Sequence, residues 1–178
     1  LKAQFKKILA TEYTAVSTPI QHAAVAGFEI SKDMDEYFEI TRNIHHIMGE
    51  YTHDELLKIE GVKVTKPEAT FYLLADFNAF ATDLQKVKIT TSQKLSESLM
   101  VHPYHTAIVG GDSLVLERTD FSARIAYVDY DGAKVYESYK KQKPKTHSER
   151  TEFVKNNAPK MVQGIKMIAR FFEDIRNN

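Results

Sequence analysis

The sequence predicts an α+β fold, in which a small antiparallel sheet of three to four strands carries helices on one face and follows a long helix. Apolar residues recur at helical spacing towards both ends of the chain, over 37–51 and 161–175. Between these two segments the apolar pattern is extended, which is typical of short strands. Strands do not alternate strictly with helices, and this argues against a doubly wound parallel sheet.

Two shorter helices are predicted ahead of the long one. The first covers residues 4–10, whose apolar side chains have amphipathic spacing: Phe5, Ile8 and Leu9. The second should run from Pro19 to Ile30. Ser17 and Thr18 precede that proline, and hydroxyl residues followed by proline favour the start of a helix.

The long helix has the most regular pattern in the chain. Its apolar residues alternate at steps of three and four and therefore share one face: Tyr37, Ile40, Ile44, Ile47 and Tyr51. Charged residues fill the opposite face, and Gly61 is expected to end the helix because glycine favours helix C-termini.

The remaining pattern predicts the sheet and three further helices. Four segments are strand-like: 62–64, 70–74, 114–117 and 123–128. A helix centred on Leu95 and Leu99 is expected between the second and third, with Thr91 or Ser92 as its cap. The last two helices should cover 133–141 and 161–175, with a solvated, lysine-rich connection over 142–148.

Composition limits the classes of function. The chain has 178 residues, enough for one domain and a remnant of a second. Lys plus Arg equals Asp plus Glu at 24 each, so no long-range field attracts nucleic acid or a membrane surface. No cysteine is present, which excludes disulfides and thiolate chemistry and favours a cytoplasmic protein. No apolar run reaches the length of a membrane span, and the first residue is Leu1, so the natural start is expected upstream.

Three segments, in this order, carry a resemblance to a known family: 17–24 (STPIQHAA), 66–74 (KPEATFYLL) and 122–128 (SARIAYV). Together they resemble fold-type I, pyridoxal-phosphate-dependent aminotransferases of the aspartate aminotransferase-like class I/II, over about residues 10–140. The family usually has glycine at the position of Ala69, and often Pro-Gly where this chain reads His102-Pro103-Tyr104. The resemblance implies that residues 1–30 are a remnant of the large domain with the start of the interdomain helix, and that 31–178 form the small domain.

The resemblance implies that Arg124 binds the α-carboxylate of the substrate. A planar guanidinium can make two parallel hydrogen bonds to a carboxylate, which a lysine cannot reproduce. Arg124 also lies in an apolar strand, where a charge needs a partner. From the residues alone, a structural salt bridge to a neighbouring Asp or Glu is the alternative.

The family also implies a cofactor site and a homodimer. A hydroxyl at the position of Ser17 or Thr18 can reach the phosphate of pyridoxal phosphate bound by the partner subunit, and a helix start favours anions. Simple helix capping is the alternative interpretation. An amino acid and a 2-oxo acid are the implied substrates.

No catalytic residue is expected within this chain. Transamination needs a lysine that holds the cofactor, and in the family it precedes the segment at Ser17. Lys94, in Thr91-Ser92-Gln93-Lys94, imitates the family's S-x-x-K pattern but comes after the strand at 70–74, the wrong order. We therefore expect an inactive C-terminal part of a larger enzyme. Two alternatives stay open: a non-catalytic α+β binding or assembly module, and a fold-type I enzyme that does not transaminate.

Other polar and aromatic groups have simpler interpretations. His45 and His46 are adjacent on a helix and point about 100° apart, so they do not share a metal easily, and His102 and His105 are expected in a loop. No metal site is therefore predicted. Tyr104 and Tyr127 are expected to pack in the core rather than line a substrate pocket, and the lysine-rich stretch 140–145 should be a flexible surface segment.

Overall fold

The computed structural model describes residues 2–12, 16–29 and 31–177, and of Leu9 only the backbone. Two compact units divide the chain, residues 1–38 and residues 39–178. Within the described ranges, no helix is both long and apolar enough to cross a membrane.

The first unit is helical, and the third helix continues from it into the second unit. The bounds are α1 (Lys2–Glu12), α2 (Thr18–Gly27) and α3 (Lys32–Leu57). The helices at 4–10 and 19–30 are thus found, although α2 ends at Gly27, and Ile30 lies outside the described residues, as does the side chain of Leu9. The 26-residue helix α3 confirms the long helix; it ends at Leu57, and Gly61, with φ +91°, lies in the turn that follows.

The second unit contains a four-stranded antiparallel sheet and five more α-helices among its described residues. The strands are β1 (Lys63–Val64), β2 (Tyr72–Asp76), β3 (Val109–Gly110) and β4 (Ser122–Ala126), arranged in the order β1-β2-β4-β3. The helices are α4 (Ala81–Lys86), α5 (Ser92–Met100), α6 (Gly132–Gln142), α7 (His147–Asn157) and α8 (Pro159–Arg176). The sheet and its surrounding helices confirm the predicted α+β class.

The two faces of the sheet have different environments. On one face Leu73 and Ala75 of β2, with Ala123 and Ile125 of β4, are buried in the core together with apolar residues of the helices. Because successive side chains of a strand point to opposite faces, Tyr72, Leu74 and Arg124 share the other face. Leu74 is 38% exposed there, and Arg124 is half-buried. This second face is therefore the open one.

The core is built mainly from helical residues. Ile40, Ile44, Ile47 and Tyr51 of α3 are buried as their spacing predicts, whereas Tyr37 is 48% exposed. Helix α8 buries one complete face, with seven residues in the core: Met161, Val162, Ile165, Ile168, Phe171, Phe172 and Ile175.

The prediction of a strand at 114–117 is wrong. Residues Gly111–Leu114 form a 3-10 helix, Val115 takes a left-handed backbone (φ +65°), and the strand lies earlier, at β3. The chain there must pass close to helix α5: a Cβ on Gly110 would lie 2.7 Å from the carbonyl oxygen of Ser92. Glycine at this position allows the backbone contact, and a pattern of side chains does not reveal it.

Candidate substrate-binding site

The backbone of Arg124 lies in the interior of the sheet. Its strand, β4, pairs with β2 on one side, where Arg124 is opposite Leu74, and with β3 on the other, where it is opposite Val109. A strand paired on both sides has its backbone fixed by two hydrogen-bond ladders. The guanidinium can therefore move only by rotation about the bonds of the Arg124 side chain.

The guanidinium of Arg124 contacts an aromatic ring and not a carboxylate. Its Cζ lies 4.4 Å from the centroid of the Tyr72 ring, a cation–π contact. Across residues 2–12, 16–29 and 31–177, the ion pairs within 4.0 Å involve other basic residues and leave Arg124 out. Among the described residues, the structural salt bridge considered as an alternative is thus not found, and the N–H groups of Arg124 can donate to an external anion.

A depression of about 640 Å³ surrounds Arg124 on the open face of the sheet. Apolar side chains form part of its wall, including Leu74 and Leu114, while Lys66 and Glu68 are exposed residues of the loop that borders it. A carboxylate bound there could meet the guanidinium of Arg124, and hydrogen bonds between charged partners are stronger than those between neutral groups.

Helix α3 and Tyr127 fix the loop that borders the depression. A Cβ on Gly49 would lie 3.0 Å from Pro67 and 3.1 Å from the Tyr127 ring, so glycine lets the loop approach the helix closely. The Tyr127 hydroxyl donates a hydrogen bond to the carbonyl oxygen of Thr70 at 3.1 Å. Thr70 itself has φ +65°, whereas residue 69 does not have a positive φ, so alanine is accommodated where the family usually has glycine.

A row of aromatic rings leads from helix α3 to Arg124. The His45 ring lies 6.2 Å from that of Phe71, and Phe71 lies 4.2 Å from Tyr72, the ring beneath the guanidinium. Burial lowers the pKa of His45, so its imidazole favours the neutral form. Its Nδ1 lies 3.4 Å from the hydroxyl of Tyr130, whose pKa is raised to about 12 by burial and by the nearby Tyr127.

The two residues expected at a cofactor phosphate lie at the start of α2. Thr18 begins the helix, and Ser17 occupies its N-cap position without a capping hydrogen bond from its side chain. The carbonyl oxygen of Ser17 accepts from the backbone N–H groups of Ile20 and Gln21. Ser17 and Thr18 belong to the first compact unit and Arg124 to the second.

The remaining polar candidates have structural partners or exposed positions. Lys94 is exposed on α5, and its backbone N–H donates to Thr91 Oγ1, the cap of that helix. His102 and His105 face each other with ring centroids 5.7 Å apart. Throughout the ranges that the structure describes, no group of three or more His, Cys, Asp or Glu residues could hold a metal ion.

Both tyrosines expected in the core are engaged by the protein itself. Tyr127 is 2% exposed. Tyr104 packs edge-on against Phe171, with ring centroids 5.0 Å apart, and its hydroxyl donates to Asp174 Oδ2 at 2.8 Å. Core packing is therefore confirmed for Tyr127, whereas Tyr104 is partly buried against the core, and both also line a cavity of about 710 Å³.

Sequence comparison identifies the family. The model of "Aminotransferase class I and II" matches residues 1–137, more than half of the chain, and the chain belongs to that family. Its members generally depend on pyridoxal phosphate and act on amino acids and 2-oxo acids. The chain is also similar to a "Probable aspartate/prephenate aminotransferase" of Aquifex aeolicus (strain VF5), at 32% identity over 101 residues. That alignment covers 54% of this chain and 24% of the relative, so the chain spans about a quarter of the relative's length.

Proposed function

We propose that this chain is the C-terminal, substrate-binding part of a pyridoxal-phosphate-dependent aminotransferase. Arg124 binds the α-carboxylate of the amino acid or 2-oxo acid, while the lysine that holds the cofactor lies outside these 178 residues. The observation that carries the proposal is the guanidinium of Arg124, which is held over the Tyr72 ring on the open face of the sheet with no carboxylate partner in the described ranges.

Arg124 would contribute binding and orientation. Two parallel N–H···O bonds from one guanidinium fix both the position and the plane of a carboxylate. With the carboxylate fixed, the Cα of the substrate is held in one place and its amino group can move only by rotation about the bond between Cα and the carboxylate, and such positioning lowers the entropic part of a reaction barrier. Arg124 needs to transfer no proton in this role.

Ser17 and Thr18 fit a contact with the cofactor phosphate. The side chain of Ser17 makes no capping bond to α2, so its hydroxyl can donate to an anion, and the dipole of a helix favours negative charge at its N-terminus. When bound, pyridoxal phosphate supplies the electron sink for amino-group transfer. Lys94 is not proposed to hold it, because it is exposed on α5 and follows β2 in the chain, whereas the lysine of the family precedes the segment at Ser17.

The whole enzyme is proposed to act as a cytoplasmic homodimer. In the family the active sites lie at the subunit interface, and a hydroxyl near Ser17 reaches the cofactor of the partner subunit. A dimer of the complete enzyme would therefore supply each site with residues from two chains.

The test is the substitution Arg124→Lys in the complete enzyme that carries this chain. Loss of the bidentate geometry should raise KM for the amino acid by roughly 10- to 100-fold, since hydrogen bonds to charged groups contribute about 1.5–3 kcal/mol. Affinity for pyridoxal phosphate should change far less. Arg118→Lys, at an exposed turn, is the matched control and should leave KM unaltered. If KM is the same for Arg124→Lys as for the original enzyme, Arg124 is not in the site.

Product analysis separates the alternatives. Arg124 recognises only a carboxylate, so the same geometry would suit a fold-type I enzyme that decarboxylates or cleaves its amino acid. Formation of a new amino acid from a supplied 2-oxo acid identifies transamination, whereas release of CO₂ or of an aldehyde identifies the other chemistry. A protein that binds amino acids without converting them would instead be the non-catalytic module.

A further inference from the structure

We propose that Tyr72 is a positioning residue for the substrate arginine: its ring holds the Arg124 guanidinium in place while leaving the N–H donors free for the carboxylate. The inference rests on the proposed function of Arg124 and adds a second residue to that site. Tyr72 contacts the guanidinium and is not proposed to touch the substrate.

The sheet register brings the two side chains together. Tyr72 is opposite Ala126, and Leu74 is opposite Arg124, so Tyr72 and Arg124 are diagonal neighbours on one face of the β2–β4 pair. Diagonal neighbours are within reach when both side chains are long or aromatic. The residue directly across from Tyr72 is an alanine, which leaves the space above Ala126 to the arginine side chain.

An aromatic ring suits this task better than a carboxylate. An Asp or Glu at the position of Tyr72 would attract the guanidinium more strongly, but it would use the same N–H donors that a substrate needs. The ring attracts the cation through its π face, which leaves the hydrogen-bond donors at the edge of the guanidinium unused. The contact therefore limits the freedom of a flexible side chain before the substrate arrives, and less ordering is left for the binding step.

The Tyr72 ring also packs against a second aromatic side chain. Phe71 packs against it at 4.2 Å between ring centroids, and the His45 ring of α3 lies 6.2 Å from Phe71. The backbone N–H of Tyr72 donates to Thr70 Oγ1 at 3.2 Å. The ring is thus supported by a neighbouring aromatic side chain, with helix α3 behind it.

The test compares Tyr72→Leu with Tyr72→Phe in the complete enzyme. Tyr72→Leu should raise KM for the amino acid about three- to tenfold and change kcat by less than about twofold, because a cation–π contact is modest and acts on binding. Tyr72→Phe keeps the ring and should restore KM to within about twofold. Tyr136→Leu is the matched control: it removes a tyrosine that lies 5.7 Å from Lys140, a contact of the same kind away from Arg124, and should not change KM.

A double substitution shows whether Tyr72 acts through Arg124. In the Arg124→Lys enzyme, the increase in KM caused by Tyr72→Leu should be less than half of the increase that it causes in the original enzyme, because the effects of coupled residues are not additive. Circular dichroism checks folding, and Tyr72→Met serves as a second non-aromatic variant if Tyr72→Leu is unstable.

Two results would overturn the inference. An unchanged KM in a folded Tyr72→Leu or Tyr72→Met enzyme removes the positioning role, and a Tyr72→Phe enzyme as impaired as Tyr72→Leu assigns the effect to the hydroxyl instead. Failure of the proposed function is distinguishable, since it appears as an unchanged KM in Arg124→Lys itself.

Discussion

At the scale of single residues, Asp120 joins the start of β4 to the end of β2. Its Oδ1 accepts hydrogen bonds from the backbone N–H of Ser122 at 2.8 Å and from Asn78 Nδ2 at 3.0 Å. Asn78 in turn accepts from the backbone N–H of Phe121 at 2.9 Å. The bonds from Ser122 and Asn78 lower the pKa of Asp120, because they stabilise its charged form.

This network predicts a pH-dependent contribution to stability. The folded-state pKa of Asp120 is below the unfolded value of about 3.9, so its contribution is complete above that value and is lost as pH falls through the lower, folded-state pKa. Asp120→Asn should therefore reduce the free energy of unfolding in urea at pH 7, and the difference from the original chain should shrink below about pH 4.

The control for that measurement is Asp83→Asn, which removes an i,i+3 ion pair with Lys86 at 2.7 Å on a helix surface. Surface pairs contribute little, so its effect should be small at neutral pH. If the difference in free energy of unfolding between Asp120→Asn and the original chain stayed constant from pH 7 to below about pH 4, the stabilisation would not depend on the ionised carboxylate of Asp120.

Arg124 and Tyr72 show what the sequence can predict about a site. Arg124 could be proposed from the sequence because a charge within an apolar strand needs a specific reason, and the surrounding motif resembles that of a family. The sequence places Tyr72 within the segment 66–74 but gives it no separate role. Its contact with the guanidinium depends on the register between β2 and β4. Turn geometry and packing determine that register, and a single sequence does not show it.

At the scale of elements, α8 joins the helical layer to the sheet through aromatic packing. Phe172 is completely buried; its ring lies 4.6 Å from Phe77 and 4.4 Å from Phe80, measured between centroids. Phe77 directly follows β2, so this cluster connects the C-terminal helix to the strand next to Arg124.

Phe172→Ala should lower the free energy of unfolding by about 3–5 kcal/mol, the usual cost of removing a buried aromatic ring. Chemical denaturation of the chain measures it. Phe28→Ala is the matched control, since that side chain is 89% exposed, and it should change stability by about 0.5 kcal/mol or less. Equal effects from the two substitutions would show that α8 does not belong to the core.

The helices that the sequence did not predict lack a clear repeat of apolar residues at helical spacing. Helix α7 buries only Phe153 and Val154, and a capping box between Thr146 and Glu149 starts it. The expected connection over 142–148 is therefore shorter, because α6 ends at Gln142 and α7 begins at His147. The segment 78–86 was also not predicted as helical; it is a 3-10 turn followed by the six-residue α4, too short to show amphipathic repetition.

At the scale of the whole molecule, the family match ends earlier in the chain than the residues that build the core. The match ends at residue 137, within α6. Helices α7 and α8 follow that point, yet they contribute buried residues to the same cluster as α3 and the sheet. The C-terminal helices thus belong to the same compact unit as residues 39–137 of the matched region.

The proposal that the cofactor lysine lies outside these 178 residues predicts how the chain behaves with pyridoxal phosphate. Pyridoxal phosphate added to the 178-residue chain should give no saturable absorbance band of one-to-one stoichiometry, because Lys94 is on the surface of α5 and the family's lysine precedes Ser17. Titration followed by absorbance spectroscopy measures this, and Lys94→Arg should not alter the spectrum. A stoichiometric band abolished by replacing one lysine would contradict the assignment.

The difference between the end of the family match, at residue 137, and the end of the folded core has a practical consequence for the design of shorter or recombined versions of this chain. A cut placed at residue 137 would expose the side of Phe77 and Phe80 that Phe172 now covers, and exposed apolar surface of this kind favours aggregation. A junction after Arg176 keeps those rings covered.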